Sequence, residues 1–214
     1  MVWAVTEKLC VILLKEKTIA AKNYNSLLIN ITKKEVDMQY ADEKIKEFLC
    51  NLAALDAGGR ARLKRDAGKE LAEAHSIGLF YRLLPYGLSS AQEEMYFLVA
   101  TLYPLAQNSG AKNFGTSLKT LRQSKKRWRE PTKSMDKRFE ALLDSDKGQL
   151  PYRLRQAVKF LNSGEQKVGI NWEQLLQHLL GWQLPSRYVQ KEWAREYFAL
   201  PASKDEESPS SGES

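Results

Sequence analysis

Ten basic residues fall between positions 110 and 139, against two acids. They are Lys112, Lys119, Arg122, Lys125, Lys126, Arg127, Arg129, Lys133, Lys137 and Arg138, with Phe114, Trp128 and Phe139 interleaved. Concentrated charge of one sign repels itself. A polyanion relieves that repulsion as the cations displace its condensed counterions. The chemistry expected of this window is a grip on nucleic-acid phosphates, with an acidic protein or plain solubility as the alternatives. Trp128, flanked by cations on both sides, could also stack on an unpaired base.

A second group, Gly58-Gly59-Arg60-Ala61-Arg62-Leu63-Lys64-Arg65, sets four cations within six residues. Read as a short helix opened by the two glycines, it puts Arg60 and Lys64 on one face and Arg62 and Arg65 on another. The macrodipole disfavours positive charge near a helix start, so phosphate binding is the expected reason for the pattern. An ordinary basic surface helix is the alternative. Arg153, Arg155 and Lys159 form a third group, in which Arg155 and Lys159, four apart, can face one backbone.

Other chemistries find little support. His75 and His178 have no nucleophile, carboxylate or ligand motif beside them and read as structural or surface residues. Two cysteines, Cys10 and Cys50, argue against a disulfide scaffold or a four-cysteine zinc site. No Walker motif, nucleophile elbow or dinucleotide fingerprint occurs. The expectation is a binder without catalytic residues, metal or cofactor.

The total charge of +7 over 214 residues is unevenly spread. Residues 110–139 carry net +8, 38–109 net −1, 140–201 net +1, 1–37 net +2 and 202–214 net −3, so the excess sits in one window. Five Trp, nine Tyr and seven Phe are too many for a disordered chain. The longest apolar run, Leu9 to Leu14, is far shorter than the roughly 20 residues of a spanning helix. Its charged flanks also spoil a secretory signal, which leaves the cytoplasm as the expected compartment.

Apolar spacing of three and four predicts helices nearly throughout, and the expected fold class is all-α, a compact bundle of about eight or nine helices. Ile45, Phe48, Leu49, Leu52 and Leu55 form a stripe on a segment opened by Asp42. Ser90 and Glu93 have capping-box spacing ahead of Met95, Leu98, Val99 and Leu102. Phe139, Leu142 and Leu143 mark a short helix. Leu150, Leu154, Val158 and Leu161 mark another, with Pro151 tolerable in its first turn. Asn171 with Gln174 makes a second box, with Ile170 and Leu175 placed as a hydrophobic staple. Its stripe continues through Leu176, Leu179 and Trp182, and a last helix runs through Val189, Trp193 and Tyr197. Trp172, Trp182 and Trp193 are expected in the core.

Breaks fall at Gly58-Gly59, Pro85-Tyr86-Gly87, Asn108-Ser109-Gly110, Pro131 and Ser163-Gly164. A boundary near 110–135 would divide the chain into two helical halves. The domain organisation expected is an N-terminal extension over 1–37, an all-α nucleic-acid-binding domain over 38–201 and a disordered acidic tail over 202–214. Lys34-Glu35-Val36 can be encoded as AAG GAG GTN, a purine run of the ribosome-binding kind. One reading of the extension is therefore that translation starts at Met38, and the other is an accessory helix through Leu9–Leu14.

The segment Phe48-Leu49, Leu52, Leu55 and Gly58-Gly59-Arg60-Ala61-Arg62-Leu63-Lys64-Arg65 resembles the opening of the small subunit of the type I-E CRISPR surveillance complex Cascade, the CasB family. Similar in turn are Phe97-Leu98-Val99-Ala100-Thr101-Leu102, Asn113-Phe114-Gly115-Thr116-Ser117-Leu118 and Lys137-Arg138-Phe139-Glu140-Ala141-Leu142-Leu143. Leu154-Arg155, Ile170-Asn171-Trp172 with Leu175-Leu176 and Trp182, and Trp193-Ala194-Arg195 with Tyr197-Phe198 complete the series. The ordered set spans about residues 41–199. The sequence departs from the family pattern at His178, where an acid is common, and at Thr116, where a basic residue would be unsurprising.

The resemblance implies a non-catalytic helical subunit, present as a pair, beside backbone and large subunits. It would contact crRNA, the paired target DNA and the displaced strand, holding the R-loop open. Arg60, Arg62, Lys64, Arg65, Lys137, Arg138 and Arg155 carry over by motif as its nucleic-acid contacts. Lys119, Arg122, Lys125, Lys126 and Arg127 join them on charge density alone. Because such a subunit must accept any target, phosphates and not base edges are the expected contacts. Two rival readings are a helical DNA-binding transcriptional regulator and a metal-independent ribonuclease.

Overall fold

The structure is a computed structural model that describes residues 39–106, 110, 112–127, 132–163 and 167–199, with backbone only for 125–127. The expectations for 1–37, the start at Met38, the tail over 202–214, and Trp128 and Arg129 lie outside the described residues. The chain divides into two units, Met1–Glu47 and Phe48–Ser214. In the first, residues 39–47 are helical, and Lys44 Nζ stands 4.4 Å from the centre of the Tyr40 ring. This helix, α1, covers 39–53, so Asp42 lies inside it and does not open it, and Leu55 falls past its end.

Among the described residues of the second unit the remaining elements are helical: α2 (Ala57–Arg65), α3 (Ile77–Leu83), α4 (Ser90–Leu102), α5 (Phe114–Arg127), α6 (Lys133–Leu143), α7 (Leu150–Leu161), α8 (Trp172–Leu180) and α9 (Tyr188–Phe198). Two 3-10 turns, Leu71–Glu73 and Tyr103–Leu105, link them, and the all-α expectation stands.

Helix positions follow from the stripes. Leu150, Leu154, Val158 and Leu161 recur at i, i+4, i+8 and i+11, and every one is buried, as Pro151 occupies the first turn of α7. Val189, Trp193 and Tyr197 do the same for α9. Burying a large apolar side chain contributes about 2–3 kcal/mol, and Trp193 sits where three rings converge. Trp182 and Phe114 lie 5.1 and 5.0 Å from it, and His178 6.0 Å. Trp172, Trp182 and Trp193 are all core residues.

The caps follow the sequence with one shift of register. Asn171 caps α8 by accepting from Gln174 N–H at 3.0 Å, with Ile170 and Leu175 both buried. At α4 the cap is Ser89, whose N–H and hydroxyl donate to Gln92 Oε1 at 2.9 and 3.1 Å. Ser90 is already helical, and Glu93 instead accepts from Tyr81 Oη at 2.8 Å. The same spacing occurs at both registers, and the Tyr81 hydroxyl engages the carboxylate that the Ser90 box would need.

The suggested division near 110–135 does not cut the second unit. Trp172 Nε1 donates to Ala106 O at 3.0 Å and Asn162 Nδ2 to Leu105 O at 2.7 Å, tying the later helices to the end of α4. Helix α5 then lies on α9 so closely that a Cβ at Gly115 would fall 2.5 Å from Trp193 O. Only glycine permits that approach of two backbones.

Candidate nucleic-acid interface

The first basic group is held by α2. Asp56 caps this helix, accepting from Gly59 N–H at 2.6 Å, so the helix begins at Ala57 and its cations Arg62, Lys64 and Arg65 occupy the last turn. That reverses the electrostatic expectation. Cations in a last turn are favoured by the macrodipole, typically by about 0.3–1 kcal/mol each, the size of a surface ion pair. Local stability therefore accounts for part of the pattern. Arg62, Lys64 and Arg65 are exposed and Arg60 is half-buried.

Directly after them the chain turns inward at Asp66, whose side chain is fully buried. Its carboxylate accepts from Ser76 Oγ at 2.7 Å, Ser76 N–H at 2.8 Å, His75 N–H at 2.9 Å and Lys69 Nζ at 3.1 Å. Burial works against ionisation, but the Ser76 hydroxyl, Lys69 and the backbone donors outweigh it and hold the group well below the usual carboxylate range. The acid next to the basic turn is thus committed to the fold of residues 66–76. Two residues on, Gly68 has φ +85°, and a Cβ there would lie 2.6 Å from Arg155 Cδ. The stem of Arg155, from α7, rests on this glycine. Its Nε is buried with no hydrogen-bond partner among the described residues. Arg155 is thereby brought to the α2 turn.

The second group surrounds a groove of about 680 Å³ between α6 and α7. Its rim carries Lys133, Lys137 and Arg138 from α6 and Arg153 from α7; Leu118, Met135, Phe139, Leu142, Ala157 and Phe160 give it an apolar lining. Among the described residues no Asp or Glu lines it. Arg153 Nε and Nη2 donate to Gln149 Oε1 at 3.2 and 3.0 Å, which fixes the guanidinium without neutralising it. Tyr152, also on the lining, is 60% exposed. Lys137 and Arg138 are legible in sequence. Lys133 and Arg153 stand within basic groups there but have no assigned contact, although Lys133 precedes Lys137 by one helical turn. Tyr152 gives no signal at all. Arg153 and Arg155, two positions apart, diverge by about 200° around α7 and so serve different groups.

Arg122 has another task. Its Nε and Nη2 donate to Asp136 at 2.7 and 3.1 Å, its guanidinium carbon lies 5.5 Å from the Tyr197 ring centre, and Tyr197 Oη donates to Asp136 Oδ1 at 2.6 Å. The Asp136 carboxylate pushes the Arg122 pKa up, and burial, with the same carboxylate, raises that of Tyr197. This triad joins α5, α6 and α9, so Arg122 positions the groove helix. Lys119 on α5 is half-buried, and the backbone of Lys125, Lys126 and Arg127 continues that helix, their side chains lying outside the described residues.

Thr116 lies beside the acids of α9 and bonds there as a neutral hydroxyl. Its hydroxyl lies 3.2 Å from both Asn113 Oδ1 and Glu196 Oε2, and Asn113 Nδ2 donates to Glu192 Oε1 at 3.0 Å. His178 is buried: Trp193 Nε1 donates to its Nδ1 at 2.8 Å, and its Nε2 lies 3.7 Å from Glu192 Oε1. No group of three or more metal-ligating side chains occurs among the described residues, and no described helix is long and apolar enough to cross a membrane.

The family model of the CRISPR-associated protein Cse2 matches residues 59–198. A Cse2 protein of Thermus thermophilus is 36% identical over 137 residues, 60% of this chain and 75% of that one. Among solved structures, CasB from M. ruber is similar with a TM-score of 0.61 at 29% identity, over 72% of this chain and 92% of its own. CasB from Thermus thermophilus gives 0.60 at 30%, over 74% and 98%. A chain of a CRISPR RNA-guided surveillance complex gives 0.58 at 25%, over 74% and 91%.

Proposed function

We propose a role from one premise: this chain belongs to the CRISPR-associated Cse2 family, and as such is a helical subunit of a CRISPR surveillance complex. Within that complex it is a non-catalytic clamp on nucleic acid, in the cytoplasm. It touches the phosphates of crRNA and target DNA without reading sequence, and steadies the displaced strand of the R-loop. It works as a pair, docked on the backbone and large subunits.

One observation carries this reading: the exposed cations of both groups form no ion pair with an acid among the described residues. The acid beside the α2 turn is turned into the fold, and the α6–α7 groove is lined by four cations and no carboxylate. A stable basic surface gains from a polyanion by counterion release. Exchange of one duplex for another in an R-loop is near balance, so modest backbone contacts suffice to tip it. The residues for this task are Arg60, Arg62, Lys64, Arg65 and Arg155 on one side, and Lys137 and Arg138, now with Lys133 and Arg153, on the other. Lys119, Lys125, Lys126 and Arg127 extend the second group along α5.

The test is binding of the full chain, alone and with its partner subunits, to RNA and DNA of several unrelated sequences across a salt series. Similar affinities and a steep salt slope are expected. Absence of binding at low ionic strength, or one strongly preferred sequence, overturns the reading.

A further inference from the structure

We propose that the α6–α7 groove seats an unpaired base of a single strand, with the flanking phosphates on its cationic rim. This rests on the nucleic-acid reading above and narrows it from any polyanion to one whose bases are free.

A surface made only to hold phosphates has no use for an apolar interior, because a phosphate moved onto hydrocarbon loses its hydration without return. Here the four cations stand around Met135, Phe139 and Phe160, not on a flat polar face. Bases in a duplex are stacked and paired inside a sheath of phosphates, so a duplex can meet the rim but not the interior. A single strand offers both at once: charge for Lys133, Lys137, Arg138 and Arg153, and a flat, weakly polar ring for the space between them. Tyr152, largely exposed at the groove, supplies a face for stacking, an interaction every base can make. Besides the Tyr152 hydroxyl, Gln156 and Ser134 are the uncharged polar side chains of the lining, too few to read one base against another. An acidic peptide would satisfy the rim but leave the aromatic side unexplained.

The experiment compares three probes of equal charge on the wild-type full chain: a mixed-sequence DNA strand, the same backbone with every base removed, and a duplex matched in phosphate number. The strand should bind at least about fivefold tighter than its abasic counterpart, the lower end of one base-stacking contribution. A 2-aminopurine in the strand should change its emission on binding. Tyr152→Ala, at an exposed position, and Ala157→Phe, which fills the groove, should erase that preference while duplex affinity changes less than about twofold, within the ordinary range of a surface substitution. Equal affinity for strand and abasic backbone overturns the seat without touching the phosphate reading, as does a loss in Tyr152→Ala shared equally by strand and duplex. Competition by a polyglutamate peptide as strong as that of the strand assigns the groove to an acidic partner and also overturns it. Failure of all three probes to bind at low salt refutes the broader function instead.

Discussion

The α2 turn and the α6–α7 groove hold comparable numbers of cations by different means. At the turn, all the cations but Arg155 are one stretch of sequence on a capped helix, and their placement depends on backbone: the Asp56 cap, the Asp66 anchor and the left-handed Gly68. At the groove they come from two successive helices, α6 and α7, and the α6 set is placed by side-chain packing through the Arg122–Asp136–Tyr197 triad. A cation patch can thus be specified locally or by tertiary contact, and only the second kind encloses space.

Substitutions that strike one region and spare the other test that contrast. The largest effect is expected from Asp66→Ala, which strands the Ser76 hydroxyl and two backbone donors in a buried site. It should cost about 3 kcal/mol of stability, measured by urea unfolding, and lower affinity through the turn. Asp136→Ala should disturb the groove helix by removing the acceptor of both Arg122 and Tyr197, costing about 2 kcal/mol and weakening binding by a route the Asp66 variant does not share. A double-mutant cycle near additivity would support two independent regions.

Gly68→Ala comes next. It forces a side chain into a left-handed backbone and against Arg155, for about 1–2 kcal/mol, and thermal melting reads it. Smaller still are the charge deletions. Lys64→Ala with Arg65→Ala, and Lys137→Ala with Arg138→Ala, should each flatten the salt dependence by up to about two units for duplex and somewhat less for single strands. Both pairs should act alike on unrelated sequences; a loss confined to one sequence would point to base readout.

The smallest effect lies outside both regions. Burial lowers the His178 pKa below its ordinary 6.5, with Glu192 opposing in part. The unfolded chain then takes up the proton first, so stability is full above about pH 6.5 and declines as pH falls through the folded value. Protonation at Nδ1 would also end its acceptance from Trp193. Unfolding between about pH 7.5 and 5, a span that brackets the ordinary histidine value, should show the decline, and His178→Gln should reduce it.

The legibility of the molecule from its sequence follows the same contrast. Leu150 to Leu161 and Val189 to Tyr197 declare their helices because burial of one face imposes a period that can be counted. The groups Arg60–Arg65 and Lys137–Arg138 are visible as runs of charge. The start of α2 is harder to read, because two glycines resemble an opening. The Asp56 carboxylate fixes the start ahead of them and so places the cations at the favourable end of the dipole. The box at α4 slips by one residue because two serines offer the same spacing. Arg122 looks like its neighbours, since its partner Asp136 is fourteen residues away and only folding brings them together. The groove, which belongs to no single segment, leaves no periodic trace at all.

The contact at Gly115 has a mechanical corollary. There α5 is pressed backbone to backbone on α9, and Arg127 lies twelve residues further along the same helix, about 18 Å at 1.5 Å per residue. The helix is a lever whose fulcrum is a single hydrogen atom. A tilt of about 5° at that fulcrum carries the far backbone by about 1.6 Å, roughly three times the spread of N–H···O hydrogen-bond distances. The reach of the most basic stretch of the chain is therefore tuned by a residue that bears no charge.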